Sequence, residues 1–341
     1  MTGRPTDPDP DFDRTVRDLI DNKTKPQGAL GLVETVALQL ARATQETAPR
    51  LASCELTIFA ADHGIAAEGV SAYPQAVTRE MVLNFLNRGA AANVFADAVG
   101  ASVRVVDAGV AGESIDHPDL LNRRIGAGTR NSRIEPAMTA AQRDSALEAG
   151  RQLADECAAD VVCFGEMGIG NTSAATLLAH KLLGLPVTDL VGRGTGLDDA
   201  GLAHKTAVLE AAAARSAPEL TAAQALAEYG GFEIAMMAGA MLGAARSNRP
   251  ILVDGFISTA AALAALGIEP AAGRTLIYAH RSAEHGHRRM LEALDARPIL
   301  DLEMRLGEGT GALLAWPVVR AAAAMLTDMA SFESAGVSGP A

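Results

Sequence analysis

A glycine-rich segment that could bind an anion spans residues 165–173, between an apolar run and a helical pattern. Gly168 and Gly170 let backbone N–H groups approach a phosphate at a helix start, where the helix dipole favours negative charge. Glu166 repels a phosphate, so we expect it to contact a hydroxyl group, a ribose or a cationic ring. The segment lacks the third glycine of a dinucleotide-binding fingerprint and the Gly-Lys-Ser/Thr of a Walker loop. The alternative is a tight helix start that is capped by its own hydroxyl side chains.

Two further loops place charged side chains after predicted strands or apolar runs. In the segment 191–199, Arg193 stands between glycines, Asp198 can cap the next helix, and Lys205 lies on that helix. This pattern is typical both of a phosphate or carboxylate pocket and of a solvated helix start. Asp254 ends another strand, where it could bind ribose hydroxyls or form an Asp-Gly turn.

A fourth loop isolates Glu308 between Gly307 and Gly309, at the start of a very apolar helix. Desolvation by apolar surroundings raises the pKa of a carboxyl group, which suits a general base near neutral pH. The alternative is a carboxylate that complements the positive end of the helix dipole.

The histidines do not form a recognisable metal-binding pattern. His280, His285 and His287 are close in sequence, but there is no His-Glu-x-x-His motif and no Cys/His grid, so we expect no metal site. His63, at the end of a predicted strand, could orient a loop or touch a substrate, and a structural role is favoured. No Gly-x-Ser-x-Gly motif is present, which disfavours a serine hydrolase.

Composition excludes several classes of protein. The 341 residues suggest about two domains, and 49% hydrophobic with 21% charged residues is ordinary globular composition. A net charge of −12 and only 4% aromatic residues disfavour nucleic-acid binding. Three cysteines without a Cys-x-x-Cys pair, and no secretory signal, indicate a cytoplasmic protein. The apolar stretches are shorter than a membrane span, so we expect no membrane partner.

Strands and helices alternate along the middle of the chain. This alternation predicts an α/β fold with a doubly wound parallel sheet, whose ligands bind at the carboxyl ends of the strands. The predicted strands are Glu55–Ala60, Ser102–Asp107, Asp160–Phe164, Pro250–Asp254 and Arg274–Ala279. The predicted helices in this region are Val77–Val99, Thr139–Ala158, Ser173–Leu183, Asp198–Arg215, Glu233–Ala245 and Thr259–Leu266.

The two ends of the chain carry apolar helices that need a partner. The N-terminal helices, with Leu30 and Leu40 on an apolar face, are expected to pack on the last helix, Thr310–Met329, with a kink at Pro317. We therefore predict a small helical domain from residues 1–50 plus 309–341 and an α/β nucleotide-binding domain from residues 51–308.

Several long segments together resemble one family of enzymes. The segments are Ala61–Gln75, Gly165–Thr172, Gly194–Asp198, Gly230–Ala235, Val253–Phe256 and Arg305–Gly311. In these segments the chain resembles the nicotinate-nucleotide:dimethylbenzimidazole phosphoribosyltransferases of cobalamin lower-ligand synthesis, from about Lys25 to Val337. It departs from the usual family pattern at Gln27, Ala29 and His285, which puts loop contacts in question rather than the reaction.

The resemblance implies a Rossmann-like six-stranded parallel sheet, a small helical domain built from both termini, and a homodimer. It implies transfer of phosphoribose from nicotinate mononucleotide to 5,6-dimethylbenzimidazole, which gives α-ribazole 5′-phosphate and nicotinate. The family's general base corresponds to Glu308. No cofactor or metal is expected, because the cationic pyridine ring already activates the glycosidic bond.

The loops and the resemblance together define the predicted site. For the acceptor base we predict contacts with Ser71, Tyr73 and Met81. The predicted nucleotide-binding residues are Glu166, Gly168, Gly170, Asn171, Thr172, Arg193, Gly194, Gly196, Lys205, Asp254, Ser282 and Gly307. Alternatives are a phosphoribosyltransferase for another aromatic acceptor, a nucleotide-binding protein without catalysis and, less favoured, a dinucleotide-dependent oxidoreductase.

Overall fold

A computed structural model describes residues 9–194 and 196–339. The helices are α1 (Pro10–Asp21), α2 (Leu32–Thr44), α3 (Ala76–Leu86), α4 (Ala91–Val99), α5 (Ala140–Asp155), α6 (Asn171–Leu183), α7 (Val187–Leu190), α8 (Asp199–Ala213), α9 (Ala222–Tyr229), α10 (Phe232–Arg246), α11 (Phe256–Ile268), α12 (His285–Ala293), α13 (Thr310–Thr327) and α14 (Phe332–Ala335). The strands are β1 (Cys54–Ala61), β2 (Ser102–Gly109), β3 (Leu120–Asn122), β4 (Val161–Met167), β5 (Ile251–Val253) and β6 (Leu276–Tyr278). Two short 3-10 helices span Gly64–Glu68 and Pro270–Thr275.

The six strands form one parallel sheet in the order β3-β2-β1-β4-β5-β6. This is the strand order of a Rossmann-type doubly wound sheet, in which the chain changes direction between β1 and β4. Apolar residues along the strands are buried on both faces, as expected for parallel strands that are covered by helices. The predicted doubly wound α/β fold is therefore confirmed.

The structure corrects the sequence prediction at several elements. The single helix predicted over Val77–Val99 is two helices, because Arg88 has a left-handed backbone (φ 59°) and Gly89 follows it. Strand β3 was not predicted, since only Leu120 and Leu121 of its three residues are apolar. Helices α7, α9, α12 and α14 were not predicted either; in α12 the buried Met290 and Leu291 stand among charged and polar residues, without an apolar pattern.

The helices at the two ends of the chain pack together, as predicted. Leu40 of α2 shares an apolar core with Trp316 of α13, and this core continues onto one face of the sheet. The Lys23 ammonium donates to the carbonyl oxygens of Leu326 (2.8 Å) and Met329 (2.7 Å). Leu30, predicted on the same apolar face, is 41% exposed and lies outside this core.

The division into two domains stays a prediction, because the terminal helices and the sheet share one core. Residues 1–8, 340 and 341 of the predicted helical domain lie outside the described residues. Helix α13 continues through Pro317 as one helix of 18 residues. In the described part of the chain it alone is long and apolar enough to span a membrane, yet most of its side chains are buried, as in a core helix.

Helices α5 and α10 cross in close contact through small residues. A Cβ atom on Gly150 would lie 1.9 Å from the carbonyl oxygen of Met236. Helix propensity alone favours Gly150→Ala by about 1 kcal/mol. Because the added methyl group would clash with backbone atoms, we expect the cost of overpacking to exceed this gain in helix propensity. The free energy of unfolding should fall by about 1–3 kcal/mol.

Urea denaturation measures this change, and Ser145→Ala on the exposed face of α5 is the control. A Gly150→Ala protein as stable as the control would contradict the described helix crossing.

Candidate active site

The candidate site lies where four neighbouring strands end. Asp62 and His63 follow β1, Gly168 follows β4, Asp254 follows β5, and the pair Ala279–His280 follows β6. Since these strands are adjacent and parallel, their carboxyl ends meet along one edge of the sheet. The predicted loops at residues 165–173 and 254–259 are thereby brought together.

Glu308 reaches this edge on an unusual stretch of backbone. Gly307, Glu308 and Gly309 have φ angles of 85°, 61° and 82°. A left-handed conformation of a non-glycine residue costs on the order of 1–3 kcal/mol and persists only where the surroundings enforce it. Gly165 of β4 allows the close approach, because a Cβ atom there would lie 2.4 Å from the Glu308 carbonyl oxygen.

Glu308 is buried, with 6% of its surface exposed. Burial raises its pKa, and the negative charge of Asp254 raises it further, against a weak hydrogen bond from the Ala92 backbone N–H (3.4 Å). This agrees with the prediction that apolar surroundings would raise the pKa of Glu308. A carboxylate with one long hydrogen bond retains the capacity to accept a proton.

A second buried carboxyl group, that of Glu166, lies against the Glu308 loop. Burial, together with the charges of Asp254 and Glu233, raises the pKa of Glu166 to about 8. Its carboxyl group accepts a hydrogen bond from the Asn171 side chain. A Cβ atom on Gly307 would lie 2.2 Å from Glu166 Oε1, so the Glu308 loop rests against this carboxyl group. A group that is mostly protonated at neutral pH donates a hydrogen bond and is a poor base.

Asp254 faces protein atoms rather than an open ligand site. Its carboxylate accepts a hydrogen bond from the backbone N–H of Ala312 (2.9 Å) and lies 3.7 Å from Nε2 of His280. Asp254 is 3% exposed. These contacts differ from the predicted role of Asp254 in nucleotide binding.

The predicted nucleotide-binding side of the site begins at α6. Helix α6 starts at Asn171, and its N-cap is Gly170, with a left-handed backbone (φ 95°) and no side-chain cap. The predicted capping by a hydroxyl side chain is therefore wrong. Instead, the Thr172 hydroxyl accepts a hydrogen bond from the ammonium group of Lys205 (2.8 Å). Lys205 is fully buried, and burial lowers its pKa to about 8.

A cavity of about 680 Å³ opens between residues 191–194, 196 and 197 and the start of α12. Glu284, which lines it, is near enough to Lys205 to stabilise the charge of its ammonium group. Arg305 and Gly196 line the cavity as well, and Arg305 donates to the carbonyl oxygen of Gly194 (3.1 Å). Its volume lies within the range of about 300–1,000 Å³ that is usual for small-molecule sites. Arg193 also lines the cavity, but its guanidinium group pairs with Asp199 at the start of α8.

The predicted cap of α8 is confirmed: Asp198 accepts a hydrogen bond from the backbone N–H of Gly201 (2.8 Å). Thr195, in the middle of the 191–199 loop, lies outside the described residues.

The predicted acceptor residues lie before or on α3. The Ser71 hydroxyl accepts a hydrogen bond from the Tyr73 backbone N–H (3.2 Å), Tyr73 is 52% exposed, and Met81 packs at the edge of the sheet core. Thr78 of α3 anchors this helix to the site, because its hydroxyl donates to Asp62 (2.7 Å) and accepts from the Ile169 backbone N–H (3.1 Å).

A buried pair beneath the α6 loop was not predicted. His63 Nε2 lies 2.6 Å from Glu233 Oε1, and both side chains are almost fully buried. Gly168 and Gly170 pack directly on the His63 ring and Cβ atom. Glu233 was visible in the sequence as a lone acidic residue at the start of an apolar helix, but nothing there indicated its partner.

Ser282 and the remaining histidines form a second polar cluster next to the site. The Ser282 backbone N–H donates to His287 Nδ1 (2.9 Å), so the His287 proton lies on Nε2, 3.0 Å from the Thr259 hydroxyl oxygen. Burial lowers the pKa of His287 to about 3, which keeps the ring neutral. Within residues 9–194 and 196–339, no group of three or more His, Cys, Asp or Glu side chains is arranged to hold a metal ion.

Comparison with known proteins decides the family. A family model described as a phosphoribosyltransferase matches residues 6–337. The nicotinate-nucleotide–dimethylbenzimidazole phosphoribosyltransferase of Ralstonia nicotianae is 54% identical over 335 residues, which cover 97% of this chain and 95% of that protein. The chain belongs to the nicotinate-nucleotide–dimethylbenzimidazole phosphoribosyltransferase family.

Further members of the family agree in sequence and structure. The nicotinate-nucleotide–dimethylbenzimidazole phosphoribosyltransferase of Aromatoleum aromaticum is 51% identical over 333 residues, 97% of each chain. The crystal structure of CobT from Thermus thermophilus matches with a TM-score of 0.94 and 47% identity, and covers 97% of this chain and 100% of that one. The resemblance in the sequence is thus confirmed, and the protein is a phosphoribosyltransferase.

Proposed function

We propose that this phosphoribosyltransferase transfers phosphoribose from nicotinate mononucleotide to 5,6-dimethylbenzimidazole. A ring nitrogen of the acceptor attacks C1 of the ribose, and the bond from C1 to the pyridine nitrogen breaks. The bonding electrons return to the pyridine ring, which leaves as nicotinate. Glu308 takes the proton from the other nitrogen of the acceptor, so that the product α-ribazole 5′-phosphate has a neutral base.

One observation carries this proposal: a buried carboxylate and a buried ammonium group flank the same sheet edge. Glu308 supplies a proton acceptor on the side of α4. Lys205, Arg305 and the start of α6 supply an anion site on the other side. A reaction that joins an aromatic base to a phosphorylated sugar needs both. Two relatives that are 54% and 51% identical to this chain are named for nicotinate nucleotide and dimethylbenzimidazole, which supports the same substrates here.

Within this proposal, the donor nucleotide lies across the α6 loop. Its phosphate binds Lys205, Arg305 and the backbone of Gly194 and Gly196, while Glu166 faces the ribose. The remaining predicted contacts, by Gly168, Gly170, Asn171, Thr172, Arg193, Ser282 and Gly307, stay predictions. The acceptor base lies between Glu308 and the residues Ser71, Tyr73 and Met81.

A product assay tests the proposal. The purified protein is incubated with nicotinate mononucleotide and 5,6-dimethylbenzimidazole, and α-ribazole 5′-phosphate and nicotinate are quantified by chromatography. We expect the two products in equal amounts. Formation of nicotinate without the riboside would indicate hydrolysis instead, and failure to form either product would contradict the proposal.

The reaction is expected to proceed without a metal ion. The donor's leaving group is a cationic pyridine ring, so no metal is needed to neutralise a pyrophosphate. We expect the initial rates in excess chelator and in added Mg²⁺ to agree within about 2-fold. Loss of a catalytic Lewis acid, which contributes several kcal/mol to the stability of the transition state, would lower the rate far more. Activity that is lost in chelator and restored by Mg²⁺ would contradict this prediction.

The second candidate is transfer to a different aromatic base. The acceptor side presents few polar groups, and discrimination among apolar rings by such contacts is modest, about 10–200-fold per methylene group. Comparing kcat/KM for dimethylbenzimidazole, unsubstituted benzimidazole, a purine and a phenol separates the alternatives. The preferred acceptor is the one with the highest kcat/KM.

The cellular setting belongs to the same proposal. The enzyme acts in the cytoplasm as a homodimer, without a nucleic-acid or membrane partner and without a cofactor. The three cysteines, all unpaired and buried, support a reducing compartment. The acidic net charge of −12 supports the absence of a nucleic-acid partner. Light scattering of the purified protein measures the oligomeric state.

A further inference from the structure

The first turn of α13 has no cap of its own. Its N-cap residue is Gly309, and no side chain in the local sequence bonds to the free backbone N–H groups of this turn. The first N–H groups of a helix need a partner, because they have none within the helix. Here the partner comes from a distant part of the chain, the end of β5.

Asp254 supplies that partner. Its carboxylate accepts a hydrogen bond from Ala312 N (2.9 Å), and the N–H groups of Gly309 and Gly311 also stabilise its charge. Because Asp254 is 3% exposed and these N–H groups surround it, little of the carboxylate remains for a ligand. Nucleotide binding therefore does not explain why an aspartate stands at position 254.

His280 lies beside the same carboxylate oxygen of Asp254 and packs on the α13 turn. Its Nε2 atom lies 3.7 Å from Asp254 Oδ1, and its ring packs so closely on Gly311 that a Cβ atom there would lie 2.0 Å from His280 Cδ2. Nδ1 of His280 is buried without a hydrogen-bond partner among the described residues. Asp254, His280 and the α13 turn therefore form one compact unit.

This unit ends one residue from Glu308, whose left-handed backbone needs support. We propose that Asp254, backed by His280, is a positioning residue that fixes Glu308 by tying the first turn of α13 to the end of β5. The inference rests on the proposed function, since it assigns Asp254 to the placement of the base. It replaces the predicted contact of Asp254 with ribose.

Asp254 also acts on Glu308 by charge. The negative charge of Asp254 helps to raise the pKa of Glu308. Other titratable groups at this sheet edge are Glu166 on β4, Glu233 on α10, His280 after β6 and the pair Asp62 and His63 after β1, and the Glu166 carboxyl group lies against Gly307 of the Glu308 loop. A neutral side chain at position 254 therefore lowers the pKa of Glu308 and moves the acidic limb of the kcat profile to lower pH.

Two variants separate the positioning from the charge. Asp254→Ala removes both, and we expect kcat to fall by about 10²-fold, the cost of a misplaced catalytic group. The KM for nicotinate mononucleotide should change by less than about 3-fold, because Asp254 does not contact the donor in this proposal. Asp254→Asn keeps an oxygen for Ala312 N, so we expect a smaller loss of kcat together with the shifted acidic limb.

Hydrogen exchange of the backbone amides in residues 307–313 gives a readout that does not depend on the reaction. We expect faster exchange in Asp254→Ala than in the wild-type protein, with Asp254→Asn between the two. Unchanged exchange in both variants would overturn the proposal even if the enzyme used other substrates. A donor KM that rises as much as kcat falls would also overturn it, because it would show that Asp254 contacts the donor.

Discussion

Glu308→Gln is expected to lower kcat by about 10²–10⁴-fold, or roughly 3–5 kcal/mol of activation free energy. Glutamine keeps the size of the side chain and its contact with the Ala92 N–H, but it cannot accept the acceptor's proton. The variant should therefore fold and bind nicotinate mononucleotide nearly normally. Steady-state kinetics and a binding titration measure the two effects separately.

The pH dependence of kcat gives a second check on Glu308. A base must be deprotonated, and burial raises the pKa of Glu308 above its ordinary value. We expect kcat to fall as the pH falls through this raised pKa, and the residual activity of Glu308→Gln to lack that limb. Retention of nearly full turnover by Glu308→Gln, with loss in Glu166→Gln, would assign the base to the other loop.

Lys205→Ala is expected to raise the KM for nicotinate mononucleotide by about 10–10²-fold, the usual cost of losing a charged hydrogen bond to phosphate. The KM for the acceptor should change much less, because Lys205 lies on the other side of the sheet edge. Burial lowers the pKa of Lys205 to about 8. In the wild-type enzyme, kcat/KM for the donor should therefore fall as the pH rises through about 8, where the ammonium loses its charge.

A second buried lysine provides the control for Lys205. Lys181 donates to the carbonyl oxygens of Ala213 (2.8 Å) and Ala217 (2.8 Å), outside the site. Lys181→Ala should lower stability and leave the donor KM unchanged. Equal effects of the two substitutions on donor affinity would remove Lys205 from the phosphate site.

The sequence predicted the features that depend on local pattern. Apolar runs followed by glycine-rich turns predicted the four loops of the candidate site. Glu308 was predicted as a base because glycines flank it at the start of an apolar helix. Lys205 was found through its helix, although its burial was not foreseen. Strand β3 has only two apolar residues, and helix α7 is a single turn of four residues, so neither shows a pattern.

The features that the sequence did not predict depend on distant contacts. His63 and Glu233 are 170 residues apart, and their pairing follows only from the packing of α10 under the β1 loop. Asp254 looked like a ligand-binding aspartate because its position after a strand is typical of one. Only the fold shows that the start of α13 fills the space in front of it.

The contact between the first and last helices has a consequence for the newly made chain. Lys23 bonds to Leu326, 303 residues later, and α2 buries its apolar face against α13. Chains are synthesised from the N-terminus at about 5–20 residues per second. Helix α2 thus leaves the ribosome long before α13 is synthesised. Until then its apolar face is exposed to solvent or bound by a chaperone. Glu308 is fixed only when α13 has been made, so a prematurely terminated chain lacks the proposed base in its position.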